Sequence, residues 1–271
     1  MDTQTVIETV LLADMGAMEL LQLDPVAYHR ECCDRGGEDS TGMRVCCATL
    51  SLVRLLSLLR CRLSGRRVLE LGCGTGIVGL ALLKVATPLS LVLTDGNPSA
   101  VALAQENITR NAPTTPGVSC CRLRWSSEED IASILKHHGG FDVVIGAELL
   151  YFNIVVSELV DAVVRIASQD GIFLHSHLCR KEGQLAEVVS LCRGRGWITV
   201  QLRQDSLFDG EELEAHPPWM SVCTLISGPA AAVKACLGEG LLFSELTEEV
   251  LAEAELRARE EESDPFRGLE L

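Results

Sequence analysis

The sequence predicts an α/β chain, built on a doubly wound sheet of seven strands that are mostly parallel, with an antiparallel hairpin at one edge. Three observations predict it. From residue 67 onward, short apolar runs with β-branched residues alternate with helical stretches, the pattern of βαβ units. The run Phe141–Ala147 is apolar almost throughout, as a strand covered on both faces must be. No helical pattern separates the last two runs, 198–202 and 221–227, so these two form the edge hairpin.

Taken in order, residues 4–23 read as an amphipathic helix, with Val6, Val10, Leu11 and Leu21 among its apolar positions. Residues 30–42 are polar and carry glycines, which reads as a loop. A helix follows over 45–63. The strands are then 68–71, 89–94, 118–123, Phe141–Ala147, 171–178, 198–202 and 221–227, with helices over 77–85, 99–110, 128–138, 154–167 and 182–195. An Ala- and Gly-containing stretch leads to residues 245–262, which combine strong helix formers with a dense acidic face. The chain divides into a helical extension over 1–40, a domain over 41–228 and an acidic helical extension over 229–271.

The 271 residues carry a formal charge of -15, which argues against broad electrostatic binding to nucleic acid or anionic membrane. Residues 243–271 hold ten acids and three arginines and so account for -7 of it, leaving the domain mildly acidic. The twelve cysteines contain no C-x-x-C pair and sit mostly in apolar stretches. They read as reduced, buried thiols of a cytoplasmic or nuclear protein. The apolar stretch over 10–23 is broken by Asp14 and Glu19, so it is neither a signal core nor a membrane span. Five arginines between Arg54 and Arg67 lack interleaved aromatics and read as a solvated helix face. His175 and His177 share a strand face with Cys179, for which a structural or channel role fits better than a metal site, since no carboxylate or second cluster accompanies them.

The chemistry concentrates in Glu70-Leu71-Gly72-Cys73-Gly74-Thr75-Gly76, where a strand ends in an acid and runs through alternating glycines into a helix. Glycines let backbone approach a ligand closely, and a helix N-terminus offers unpaired N–H groups. Gly74-x-Gly76-x-x-Gly79 satisfies a dinucleotide fingerprint in a shifted frame. The frame that fits the turn begins at Gly72, however, and a carboxylate at Glu70 suits a cationic ligand better than a pyrophosphate. Asp95 ends the second strand, 23 positions after Gly72, where an acid holds vicinal ribose hydroxyls. It would otherwise cap the next helix, a role that Asn97 or Ser99 can also fill.

These residues resemble motif I and its partner acid in the class I S-adenosylmethionine-dependent methyltransferases, with their Rossmann-like fold. Further stretches resemble the protein lysine methyltransferase branch. Thr41-Gly42-Met43-Arg44-Val45-Cys46 is similar to its Thr-Gly-x-x-x-Trp motif, with cysteine for tryptophan. Leu123-Arg124-Trp125 is similar to its Leu-x-Trp strand end, and Phe141 to Tyr151 to its F-D-x-x-x-x-A-D-x-x-Y signature, with Glu148 for aspartate. Within the branch the wording is most similar to the calmodulin-lysine N-methyltransferases, although their motif I differs.

The resemblance implies S-adenosylmethionine as cofactor and a lysine-bearing protein as substrate. It places Gly72, Cys73, Gly74 and Gly76 along the cofactor, with Glu70 and Asn97 beside them. Asp95 holds the ribose, Trp125 packs near adenine, Ala147 sits beside the cofactor, and Cys46 stands at the usual tryptophan position. Glu148 captures and orients the amine, and Tyr151 bonds it or walls its channel. No metal is implied. The signatures of amino-methylation and pyrimidine C5-methylation are missing, which counts against nucleic acid. Two other readings compete: a small-molecule methyltransferase, whose pocket residues 1–40 and 205–219 would close, and a non-catalytic module with the same fold.

Overall fold

The computed structural model describes residues 5–12, 15–25, 42–151, 154–178, 183–203, 207, 222–238 and 241–246. The loop expected over 30–42 lies outside them except for Gly42. So do Thr41, Cys179, almost all of 205–219, and the expected acidic helix beyond Leu246.

The expected N-terminal helix is instead a hairpin. Strand β1 (Thr5–Leu11) pairs antiparallel with β2 (Ala17–Leu23), from Thr5 opposite Leu23 to Leu11 opposite Ala17. The run Thr5-Val6-Ile7-Glu8-Thr9-Val10 is mostly β-branched, which favours the extended chain. Gly16, at φ 77°, turns the chain between the strands.

Helix α1 (Cys47–Leu63) follows, and then the alternation begins: β3 (Arg67–Glu70), α2 (Ile77–Val85), β4 (Ser90–Asp95), α3 (Pro98–Asn111), β5 (Val118–Arg122), α4 (Glu128–His138), β6 (Phe141–Ala147), α5 (Val156–Ile166), β7 (Ala167–Leu178), α6 (Gln184–Gly194) and β8 (Ile198–Leu202). Next come β9 (Val222–Gly228), α7 (Ala230–Leu237) and β10 (Phe243–Glu245). All seven expected strands are present, and β10 adds an eighth on the outside of β8.

The sheet order is β10-β8-β9-β7-β6-β3-β4-β5. Strands β5, β4, β3, β6 and β7 are parallel, and β9 inserts antiparallel between β7 and β8. The chain reverses its direction of travel across the sheet between β3 and β6, so the crevice beyond their carboxyl ends is the natural ligand position. One face is covered by α1, α2, α3 and α7 with Met18 and Leu20 of the hairpin. The other is covered by α4, α5 and α6.

The arginines of 54–67 do more than face solvent. Arg54 donates to the Leu207 carbonyl, Arg62 to that of Cys236, and Arg67 pairs with Asp142.

Candidate active site

The turn after β3 is shaped by three glycines, Gly72, Gly74 and Gly76, at φ 57°, 51° and 77°. A Cβ on Gly72 would lie 2.6 Å from Leu149 Cδ2, and one on Gly74 would overlap the Gly42 carbonyl. Side chains at Gly72 and Gly74 are therefore excluded by the packing of Leu149 and Gly42 as well as by φ. The ring of Trp125 stands beside this turn, with Cζ2 3.8 Å from that same Gly72 position.

Asp95 ties the turn to the end of β4. Its Oδ2 accepts the Gly74 amide at 3.0 Å and its Oδ1 accepts the Asn97 amide at 2.9 Å. Asn97 itself caps α3, accepting the Ser99 amide at 2.8 Å. The cap is thus filled, and Asp95 is left facing the glycine turn.

Glu70 serves the turn from beneath. It is buried, and its Oε2 accepts the Gly79 amide at 2.9 Å near the start of α2. Burial pushes its pKa well above the usual carboxylate range, against the lowering effect of that amide. The sequence suggested a carboxylate turned toward a cationic ligand; the structure gives this one to the helix start.

Cys73 likewise points into the core. Its amide donates to Thr94 and its carbonyl accepts from Gly76 at 2.7 Å. Contact with the Cys120 thiol, with burial second, raises its pKa.

Across the switch point, Ala147 ends β6 beside Ser176 of β7. Glu148 follows at φ 57°, the one positive φ outside glycine among the described residues. Its amide donates to the Ser176 carbonyl and its Oε1 accepts the Leu178 amide at 2.5 Å. Tyr151 is half-buried just beyond, its carbonyl accepting the Ile154 amide. Cys46 precedes α1, its thiol 3.2 Å from the Thr49 hydroxyl. Gly72, Gly74, Asp95, Asn97 and Trp125 therefore form one linked group at the carboxyl edge of β3 and β4. Ala147, Glu148 and Tyr151 flank it at the end of β6.

A family profile described as lysine methyltransferase matches residues 35–188, more than half of the chain. The chain belongs to the lysine methyltransferase family. Among its relatives, protein N-lysine methyltransferase METTL21A of Danio rerio is 29% identical over 137 residues, 50% of this chain and 60% of that protein. EEF1A lysine methyltransferase 3 of Mus musculus is 28% identical over 149 residues, 55% of this chain and 61% of that protein. This chain thus spans about three-fifths of each. Among solved structures, a magnesium protoporphyrin IX methyltransferase of Synechocystis PCC 6803 shares the fold, with TM-score 0.51 and 14% identity. That match covers 67% of this chain and 79% of the other.

Two residues of this lysine methyltransferase family member that hold the site together went unseen in the sequence. Arg44 bonds back to β1 and β2, and Asn107 of α3 reaches Thr75 in the glycine turn at 2.9 Å. Both bind backbone carbonyls, which leave no mark in a sequence. The buried polar character of Asn107 on an otherwise apolar helix face was the available signal.

Proposed function

We propose that this chain binds S-adenosylmethionine and methylates a lysine side chain of a protein. The observation that carries the reading is Glu148, a carboxylate in left-handed conformation at the carboxyl end of β6, flanking the glycine cradle. Non-glycine residues at such φ are uncommon and cluster at functional sites.

S-adenosylmethionine, when bound, supplies an electrophilic methyl group on a sulfonium. The turn at Gly72, Gly74 and Gly76 lies along it, Asp95 takes the ribose hydroxyls, and Trp125 packs on the adenine. Ala147 and Cys46 complete the walls. The absence of a phosphate-binding Gly-Lys-Ser/Thr suits a cationic ligand that carries no phosphate.

An incoming lysine arrives as an ammonium, with pKa about 10.4 in water. Glu148 captures and aims it. Partial burial, opposed by that carboxylate, then favours loss of its proton to water before transfer. Glu148 and Tyr151 would hold the neutral nitrogen in line with the methyl carbon that the bound cofactor supplies, with sulfur as the leaving group. Tyr151 walls the amine channel. Rate comes chiefly from alignment and exclusion of water.

Eight cysteines among the described residues are free thiols, in keeping with work in the reducing cytoplasm or nucleus. No helix among the described residues is long and apolar enough to cross a membrane.

The test is transfer of tritium from labelled S-adenosylmethionine to proteins of a cell lysate. A labelled band that vanishes when lysate lysines are first blocked by reductive methylation supports the reading. Label that survives the block overturns it.

A further inference from the structure

The glycine turn is gripped from two sides, and both grips lead to the N-terminal hairpin. On one side, residues 42–45 lie along the end of β2. The Leu23 amide donates to Met43, and the Val45 amide to Gln22 Oε1 at 3.2 Å. Arg44 then reaches back. Its Nη1 donates to the Leu23 carbonyl at 2.5 Å and its Nη2 to both Glu8 oxygens at 3.1 and 3.0 Å. Gln22 Nε2 adds a bond to Glu8 at 2.6 Å. This network fixes the segment that sets the Gly42 carbonyl against Gly74.

On the other side stands Asn107, fully buried on α3. Its Oδ1 accepts the Leu21 amide at 2.7 Å, and its Nδ2 donates to Leu21 at 2.8 Å and to Thr75 at 2.9 Å. One side chain thus joins β2 to the residue between Gly74 and Gly76. Asn111 adds a bond to Glu19.

We infer that Arg44 and Asn107 are positioning residues for the cofactor: through the hairpin they hold the glycine turn in its binding shape. The physical need is plain. Three glycines within five residues give the turn wide conformational freedom, and any ligand that must freeze it binds less tightly. A turn already clamped between Gly42 and Asn107 is ordered before the ligand arrives. Arg44 stands at one of the unspecified positions of the Thr-Gly-x-x-x-Trp motif, so the motif alone does not supply this grip. The inference rests on the S-adenosylmethionine site proposed above.

The experiment is calorimetric titration with S-adenosylhomocysteine, alongside thermal melting. Arg44→Met and Asn107→Leu should each raise the Kd by about tenfold, the equivalent of one lost charged or buried hydrogen bond. Met18→Ala is the comparison, since Met18 is buried in the same hairpin as part of the apolar core. It should lower the melting temperature and leave the Kd within about twofold, the range of surface-level effects. Glu8→Gln, at a half-exposed position that folding tolerates, should weaken binding in the parent and add nothing in the Arg44→Met background. Unchanged Kd in Arg44→Met and Asn107→Leu overturns the inference while the cofactor site stands. Equal weakening by Met18→Ala overturns it as general loosening. No binding by the unaltered chain overturns both the inference and the site.

Discussion

The carboxylate of Glu148 accepts the Leu178 amide at 2.5 Å, tying the residue after β6 to the last residue of β7. The side chain proposed to meet the substrate amine is therefore aimed by backbone, and a neutral amide can take over that aim without its charge.

Glu148→Gln should accordingly leave stability within about 0.5 kcal/mol while slowing methyl transfer roughly tenfold or more, the scale of one charge-assisted hydrogen bond. Glu148→Gly relieves the φ of 57° by about 1 kcal/mol but abandons the Leu178 amide. Melting temperature and single-turnover rates on both variants separate aim from charge. A Gln variant with full rate would remove Glu148 from the chemistry.

Asp95→Ala removes the acceptor of the Gly74 and Asn97 amides together with the proposed ribose contact. The expected loss in S-adenosylhomocysteine affinity is roughly 1.5–3 kcal/mol by calorimetry. Unaltered affinity would mean that the ribose is held elsewhere.

Gly74→Ala meets two obstacles at once, a φ of 51° and the Gly42 carbonyl in the space of the new methyl group. Left-handed backbone alone costs about 1–2 kcal/mol for a residue with a Cβ. The melting temperature should fall, and cofactor binding should fall with it because residues 42–45 are pushed off the turn. Gly65→Ala, at φ 74° with open space around it, should show the backbone cost alone.

Phe173, His175 and His177 stack along one face of β7, with ring centroids 5.1 and 4.8 Å apart. His175 is buried, and among the described residues neither of its ring nitrogens has a hydrogen-bond partner. Burial, with neighbouring His177 second, holds its pKa well below the usual value. The unfolded chain then binds a proton that the folded chain refuses. Stability is whole above about pH 6.5 and declines by up to about 1.4 kcal/mol per pH unit as pH falls below it toward the folded pKa. His175→Leu should flatten this acid limb by up to one proton, read from urea melts between pH 7.5 and 5. An unchanged slope would locate the acid sensitivity in another group.

Between Arg67 and Leu202 the fold is legible because each element carries its own period and is bounded by turn residues. The hairpin is not legible, for a specific reason. Ile7 and Leu11 are apolar yet exposed, while Glu8 points inward to Arg44. The two faces of β1 therefore show no alternation in polarity, and Val6, Val10 and Leu11 fall at helical spacing by coincidence. At three residues, β10 is too short to carry a period. In the site, the glycine turn and Asp95 are visible because an alternating glycine run after one strand and an acid at the end of the next form a local pattern. Glu70 shows the opposite: the sequence offered it to a cationic ligand, and only packing reveals that it faces Gly79. Arg44 and Asn107 join segments up to 86 residues apart in sequence, a relation no local pattern encodes.

The same separation orders events during synthesis. Residues 17–23 leave the ribosome long before residues 98–111, so Met18 and Leu20 emerge with their seat not yet made. A two-stranded hairpin is barely stable alone, and contacts this distant in sequence form late. The sheet can therefore nucleate without β1 and β2, and Asn107 lacks its two Leu21 bonds until they dock. An N-terminal fusion that hinders docking of the hairpin would leave a nearly complete sheet whose ligand turn is not yet clamped.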